Sequence, residues 1–234
     1  MKILVANWKM NGTQNLLKEC LNLWQKKPTI NKVILCLPAV FLKTAYDRIK
    51  TPHFYLGGQN CYTKFDGPFT GETSACHLQE IGCQYVIAGH SERRSLFHET
   101  DVIVKEKAQI AIDSNLIPII CIGETLTRYE QNKTLEVLEQ QILNSIPQTS
   151  QSVLVAYEPV WAIGTGKTPS LDKIQEIHRF LKKKLCPYTS VLYGGSVTVN
   201  NFEEILNLEE VDGLLVGGTS LNPNDFMQII QYHA

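Results

Sequence analysis

Short runs of apolar and β-branched residues recur along the whole chain, and polar segments separate them. Continuous apolar runs of this kind, without strict alternation, are typical of strands that are buried on both faces of a parallel sheet. We therefore predict about eight strands. They cover residues 3–7, 33–37, 54–58, 85–88, 117–122, 153–157, 191–193 and 213–216.

Several segments between these runs carry apolar residues at every third or fourth position, which predicts helices with one buried face. Many of them open with Thr, Ser or Asn, the residue types that cap helix N-termini. The clearest helices are predicted at residues 100–114, 134–145, 170–185, 198–208 and 222–232.

Strands and helices thus alternate, at a spacing of roughly 20 to 37 residues. Eight such units in a chain of 234 residues predict a closed (β/α)8 barrel, with an open doubly wound sheet as the alternative. No linker-like segment divides the sequence, so we predict one domain covering residues 1–234. In such a barrel, functional side chains collect at the C-terminal ends of the strands.

Charge and composition narrow the range of partners. The 22 basic and 23 acidic residues are mixed along the chain, without the basic stripe that nucleic acid or a membrane surface requires. No apolar run approaches the roughly 18 residues of a membrane span, and no signal peptide precedes the first strand. The seven Cys and the scattered His lack disulfide or metal-ligand spacing. We expect a cytoplasmic protein with reduced thiols, no bound metal and a small-molecule ligand.

Glu158 is the first charged residue after the apolar strand at 153–157, and Pro159 keeps the chain extended there. This position suits a catalytic base at a strand end. The alternative is an ordinary strand end with a solvated Glu158 and with Trp161 capping the core. The segment that follows combines apolar residues with two glycines, which predicts a lid that closes over a ligand. The predicted lid consists of Pro159, Val160, Trp161, Ala162, Ile163, Gly164, Thr165, Gly166 and Lys167.

The same segment contains Gly166-Lys167-Thr168, which resembles the end of a nucleotide-binding P-loop. A P-loop also requires a glycine five residues before Gly166. That position holds Trp161, whose indole would fill the space that the phosphate needs. We therefore disfavour nucleotide binding.

Two other predicted strands end in polar residues. The first ends in Asn7-Trp8-Lys9, and the fourth leads into His90, with Ser91 as the predicted cap of a short helix. The positive end of a helix dipole disfavours imidazolium, so His90 is expected to be neutral and able to donate a hydrogen bond to an oxyanion. A surface lysine and a buried structural histidine are the alternatives for Lys9 and His90. Glu92 is either a first-turn glutamate or the partner of a buried lysine.

Glycine pairs follow the last two strands, at Gly194-Gly195-Ser196 and at Gly217-Gly218. Adjacent glycines allow backbone amides to surround an anion, and the loops after strands seven and eight often bind phosphate in barrels of this kind. Together the two pairs predict a phosphate site.

Residues 60–74 form a long connection with three aromatic residues, Tyr62, Phe65 and Phe69. A loop of this length in a compact domain is usually functional, and its aromatic residues would be poorly placed in water. We predict an arm that docks on another subunit. The alternative is a loop folded onto its own barrel.

The chain resembles the triosephosphate isomerase family over essentially its whole length. The motifs that carry the resemblance occur in order: NWKMNG, QNCY followed by FTGETS, GHSERR, CIGE, AYEPVWAIGTGK, YGGSV and the final VGG. His98 departs from the pattern, because the family commonly has glycine there. The resemblance implies a TIM barrel that interconverts dihydroxyacetone phosphate and D-glyceraldehyde 3-phosphate through an enediolate, in glycolysis and gluconeogenesis, without cofactor or metal.

The resemblance also implies roles for the residues at the strand ends. Glu158 is expected to move the proton between carbons, while Lys9 and neutral His90 stabilise the enediolate oxygens; the neutral histidine is an established feature of this family and is taken from the resemblance. Asn7 is expected to position the substrate, and Glu92 to support Lys9 and His90. The expected phosphate-binding residues are Lys9, Gly164, Ser196, Gly217 and Gly218.

Family resemblance further implies a homodimer made by the arm, with Thr70 reaching Asn7 and Lys9 of the partner subunit. The expected interface residues are Tyr62, Phe65, Phe69, Thr70, Gly71 and Glu72. A Schiff-base aldolase would usually need an inward lysine on a later strand, and residues 153–158 contain none. A catalytically inactive barrel acting as a binding or scaffold protein is the other alternative, although such proteins normally lose the base or the electrophile.

Overall fold

The computed structural model describes residues 1–149 and 151–233. Eight parallel strands form one closed barrel in the order of the sequence, and β1 pairs with β8 to complete it. The strands are β1 (Ile3–Asn7), β2 (Lys32–Cys36), β3 (Phe54–Gly58), β4 (Tyr85–Ala88), β5 (Ile117–Ile122), β6 (Leu154–Tyr157), β7 (Ser190–Tyr193) and β8 (Gly213–Val216).

Helices surround the barrel and connect consecutive strands. They are α1 (Gln14–Trp24), α2 (Ala39–Arg48), α3 (Ala75–Ile81), α4 (Ser91–Leu96), α5 (Asp101–Asp113), α6 (Leu126–Glu130), α7 (Thr134–Ser145), α8 (Leu171–Lys184), α9 (Phe202–Leu206) and α10 (Pro223–Ile230). Short 3-10 helices lie at Val160–Ala162 and Gly218–Leu221.

Alternating side chains of the strands build two separate cores. Those that point inward fill the barrel, so that it is a packed core and not a pore. They include Ile3, Val5, Ile34, Cys36, Ile87, Ile119, Cys121, Leu154, Leu192 and Leu215. Those that point outward pack against the apolar faces of the helices. The strands are therefore buried on both faces, which explains their continuous apolar sequence.

The predicted barrel is confirmed, and the predicted strands agree with the observed ones to within one residue at each end. The predicted helix at 198–208 was too long, because its first residues form a turn in which the Thr198 amide donates to Asn201 Oδ1 (2.8 Å). Helix α1 was not predicted, although its buried residues recur at helical spacing and Thr13 caps its N-terminus.

Within the part of the chain that the structure describes, no helix has the length and apolar character that crossing a bilayer requires.

Candidate active site

The C-terminal ends of the strands surround a cavity of about 220 Å³. Four polar side chains from the ends of three strands line it: Asn7, Lys9, His90 and Glu158. Backbone of the loops after β7 and β8 and of the lid forms the remaining wall, at Gly164, Ser196, Gly217 and Gly218 among others. Because all strands are parallel, residues far apart in the sequence meet at this one end of the barrel.

Glu158 directly follows β6, and its side chain is only 2 % exposed. Its backbone amide donates to the carbonyl of Ile122 (2.8 Å), which continues the strand pairing to this residue. Its Oε2 accepts a hydrogen bond from the backbone amide of Ser91 (3.0 Å). A Cβ on Gly194 would lie 3.0 Å from Cγ of Glu158, so the glycine at that position leaves the room that the carboxylate side chain occupies.

His90 is the N-cap of helix α4, and the helix begins at Ser91. The prediction that Ser91 caps the helix was therefore wrong, because the imidazole takes the capping role. His90 Nδ1 accepts a hydrogen bond from the backbone amide of Glu92 (3.2 Å). An accepting Nδ1 carries no proton, so the remaining proton of a neutral ring is on Nε2. His90 Nε2 lies 3.1 Å from Oε1 of Glu158, within hydrogen-bond distance.

Lys9 lies two residues beyond the end of β1 and has a left-handed backbone, with φ of +52°. Its amide donates to Oδ1 of Asn7 (3.0 Å), and its Nζ lies 2.5 Å from Oε1 of Glu92. Glu92 thus lies in the first turn of α4, as the first interpretation states. It also contacts a lysine, although Lys9 is partly exposed and not buried as the second interpretation requires. This ion pair places a cation at the mouth of the cavity.

Gln59 was missed in the sequence, although it lies within the QNCY segment. Its Nε2 donates to the carbonyl of Lys9 (2.8 Å) and to that of Cys36 (3.1 Å). Through these two bonds, Gln59 connects the left-handed backbone at Lys9 to the last residue of β2. An amide side chain just after β3 was the signal that could have indicated this role.

The loops after β7 and β8 present glycine backbone to the cavity. A Cβ on Gly218 or on Gly164 would meet no atom within 4 Å, and one on Gly217 would lie 3.5 Å from Cε of Lys9. Space of this kind beside backbone amides and a lysine can accommodate an anion such as phosphate. Ser196 lines the same cavity.

The first residues of the lid contact the loop that follows β5. The indole N–H of Trp161 donates to Oε1 of Glu124 (2.9 Å), and the amide of Val160 donates to the Glu124 carbonyl (3.1 Å). Glu124 is completely buried, and this burial raises the pKa of its carboxyl, partly offset by the hydrogen bonds from Trp161 and Tyr157. In the sequence, Glu124 was noted only as the last residue of the CIGE motif, and its contact with the lid was not predicted.

The arm after β3 lies outside this cavity. The rings of Tyr62 and Phe69 pack together with centroids 4.5 Å apart, while Phe65 is 45 % exposed. Gly71 and Glu72 line a second cavity of about 300 Å³, together with residues of the barrel rim. Thr70 is exposed.

Across residues 1–149 and 151–233, no group of three His, Cys, Asp or Glu side chains is arranged to hold a metal ion.

Comparison with known proteins places this geometry in context. The family model described as triosephosphate isomerase matches residues 2–233. Triosephosphate isomerases of Ruegeria sp. and Rhodopirellula baltica are 44% and 42% identical, each covering 98% of this chain, which spans 96% and 97% of their lengths. The crystal structure of triosephosphate isomerase from Bartonella henselae superposes with a TM-score of 0.89 at 37% identity, and the match covers 97% of both chains.

Proposed function

The chain belongs to the triosephosphate isomerase family and interconverts dihydroxyacetone phosphate and D-glyceraldehyde 3-phosphate, and we propose that Glu158, His90 and Lys9 perform this reaction. The observation that carries the assignment is the pairing of Glu158 with His90 at the mouth of the barrel. Family membership also places the reaction in glycolysis.

Glu158 is the base of the proposed mechanism. Its carboxylate takes the proton from the carbon next to the substrate carbonyl and returns it to the neighbouring carbon. In the structure, both carboxylate oxygens have partners, the amide of Ser91 and Nε2 of His90. The bond to His90 must give way to the substrate, because the carboxylate then faces a C–H group and the imidazole faces an oxygen.

His90 is the electrophile. Its Nδ1 accepts from the Glu92 amide, so the proton on Nε2 points toward the cavity. When Glu158 removes the carbon-bound proton, negative charge develops on the carbonyl oxygen, and the Nε2–H group donates to that oxygen. The same Nε2 then moves protons between the two oxygens of the enediolate.

Lys9 supplies positive charge to both the enediolate and the phosphate. Its Nζ is 2.5 Å from Glu92, which holds the ammonium group at the mouth of the cavity. Asn7 positions the substrate, and its Oδ1 also accepts from the Lys9 amide. Amides at Gly164, Gly217 and Gly218, together with Ser196, hold the phosphate. Closure of the lid at 159–167 excludes water and strengthens these interactions.

The same proposal includes a homodimer formed by the arm. Support comes from large apolar side chains exposed near the arm and the site, such as Phe65 at 45 %, Phe97 at 62 % and Met10 at 96 %. All three follow C-terminal ends of strands, and exposed large apolar groups at one end of the barrel favour a protein interface. We place the protein in the cytoplasm, since all seven Cys are free thiols in the structure.

A coupled assay of D-glyceraldehyde 3-phosphate turnover by purified wild type and Glu158→Gln tests the function. We expect rapid turnover by wild type, reduced about a thousandfold or more in Glu158→Gln, because the base acts mainly in the transition state. Glu130→Gln, an exposed glutamate on α6, is the matched control and should retain wild-type turnover. Folded wild type without turnover would favour a binding or scaffold barrel instead.

A further inference from the structure

The lid contacts an aromatic side chain that has no part in the reaction described above. The ring of Tyr129, on helix α6, packs against the indole of Trp161 with centroids 4.4 Å apart and an angle of 36° between the ring planes. Both side chains are half-buried. Aromatic rings at this distance and tilt attract each other beyond the effect of burial alone.

Trp161 is therefore held from two sides at the start of the lid. Its indole N–H is directed to the buried carboxylate of Glu124 (2.9 Å), while the ring lies against Tyr129. By contrast, the lid residues from Gly164 to Lys167 are exposed. Because this exposed tip follows Trp161 along the chain, the orientation of Trp161 affects where the tip lies. Trp161 is also only three residues beyond Glu158.

Backbone hydrogen bonds in and after helix α6 fix the position of Tyr129. The amide of Tyr129 donates to the Thr125 carbonyl (3.0 Å), and its own carbonyl accepts from the amide of Asn132 (2.9 Å). The helix ends at Glu130, and Asn132 two residues later takes a left-handed backbone with φ of +56°. The backbone of Tyr129 is thus held by hydrogen bonds that do not involve the lid.

We propose that Tyr129 is a positioning residue for the isomerase reaction, which orients Trp161, and through it the lid, by the contact between their rings. This inference rests on the proposed function of the lid. A lid that closes poorly leaves the enediolate open to water. An enediolate oxygen then re-forms a carbonyl, and the C=C electrons shift to form a new double bond to the carbon that carries the phosphate. The C–O bond of that carbon breaks, and inorganic phosphate departs with the bonding electron pair.

Steady-state kinetics of Tyr129→Ala, Tyr129→Leu and Tyr129→Phe test the proposal, with inorganic phosphate release measured per isomerisation. Arg128→Ala, an exposed residue on the same helix, is the matched control. The melting temperature of each variant reports on folding, and Tyr129→Leu retains a large apolar side chain if the alanine variant is unstable.

We expect kcat to fall about tenfold in Tyr129→Ala and Tyr129→Leu with little change in KM, and phosphate release per turnover to rise several-fold, because the loss concerns lid closure. Tyr129→Phe keeps the ring and should stay within about twofold of wild type. Unchanged kcat and phosphate release in the alanine and leucine variants would overturn the proposal. So would a phenylalanine variant as impaired as the alanine variant.

A double-mutant cycle with Trp161→Ala identifies the route of the effect. If Tyr129 acts through Trp161, adding Tyr129→Ala to Trp161→Ala should change kcat and phosphate release less than about twofold. If Tyr129→Ala still lowers kcat about tenfold when Trp161 is already alanine, Tyr129 acts through another residue, and the proposal is overturned. Failure of the proposed function would instead appear as absent turnover in wild type itself.

Discussion

Nε2 of His90 and Oε1 of Glu158 lie 3.1 Å apart, so the two groups proposed to act on opposite parts of the substrate contact each other directly. The contact joins the loop after β4 to the loop after β6, across the mouth of the barrel. Each group has a second, backbone-based anchor, at Glu92 for His90 and at Ser91 for Glu158. Substrate can therefore replace the contact between them while helix α4 continues to orient both.

Replacing His90 with Asn should reduce kcat by about a hundredfold or more, within the range for loss of one donor to a developing oxyanion. Asparagine is a good N-cap residue, so helix α4 should remain capped and the melting temperature should change little. Coupled kinetics and thermal unfolding measure the two effects. His77→Asn, at an exposed position on α3, is the control. A kcat within tenfold of wild type would contradict the role of His90.

Replacing Gly218 with Val should raise KM about tenfold or more, because the new side chain would extend into open space beside the proposed phosphate site. Gly218 does not have the left-handed backbone that disfavours larger residues, so the fold should be retained. Competitive inhibition by inorganic phosphate should weaken in parallel with KM. If both constants stay at wild-type values, the phosphate lies elsewhere.

Replacing Phe65 with Asp should weaken the proposed homodimer, because the change puts a charge on an exposed ring of the arm. Sedimentation should shift toward the 26.4 kDa of a single chain, and turnover should fall with it. Tyr188→Asp is a suitable control, because Tyr188 is similarly exposed but lies just before β7, at the opposite end of the barrel. A wild type that sediments as a fully active single chain would refute the dimer.

His178 should make the protein less stable in mild acid. It is fully buried between Tyr157 and Tyr193, and burial lowers its pKa from 6.5 to about 4. Between these values the unfolded state binds a proton that the folded state does not. Above pH 6.5 His178 is neutral in both states, and the folded state keeps its full stability. As the pH falls from 6.5 toward 4, stability is lost progressively, and below pH 4 the loss no longer increases.

Urea unfolding at pH 7 and pH 5 checks this expectation. At pH 5 the loss attributable to His178 should be about 2 kcal/mol, because pH 5 lies about 1.5 units below the unfolded-state pKa and above the folded-state pKa. His178→Leu should remove that part of the pH dependence, whereas His233→Gln, at an exposed position, should keep it. Equal pH dependence in wild type and His178→Leu would mean that His178 does not titrate in this way.

The sequence alone predicted the strands closely, because burial on both faces leaves continuous apolar runs whose short length and β-branched content are typical of strands. It also indicated which polar residues come together. In a parallel barrel every strand ends at the same face, so Lys9, His90 and Glu158 were predicted to be neighbours from topology alone. Sequence patterns were weaker for α1 and for the start of α9, where local turns and one-sided burial decide the boundaries.

Tertiary structure alone decided which atom contacts which. It made His90 the helix cap in place of Ser91, paired Glu92 with Lys9 from a distant part of the chain, and placed Glu124 under the lid. It also gave His98 a left-handed backbone, with φ of +55°, where the family commonly has glycine. Periodicity reports only whether a side chain is buried, whereas hydrogen bonds and ring contacts depend on distances of a few ångströms that the packing of separate loops determines.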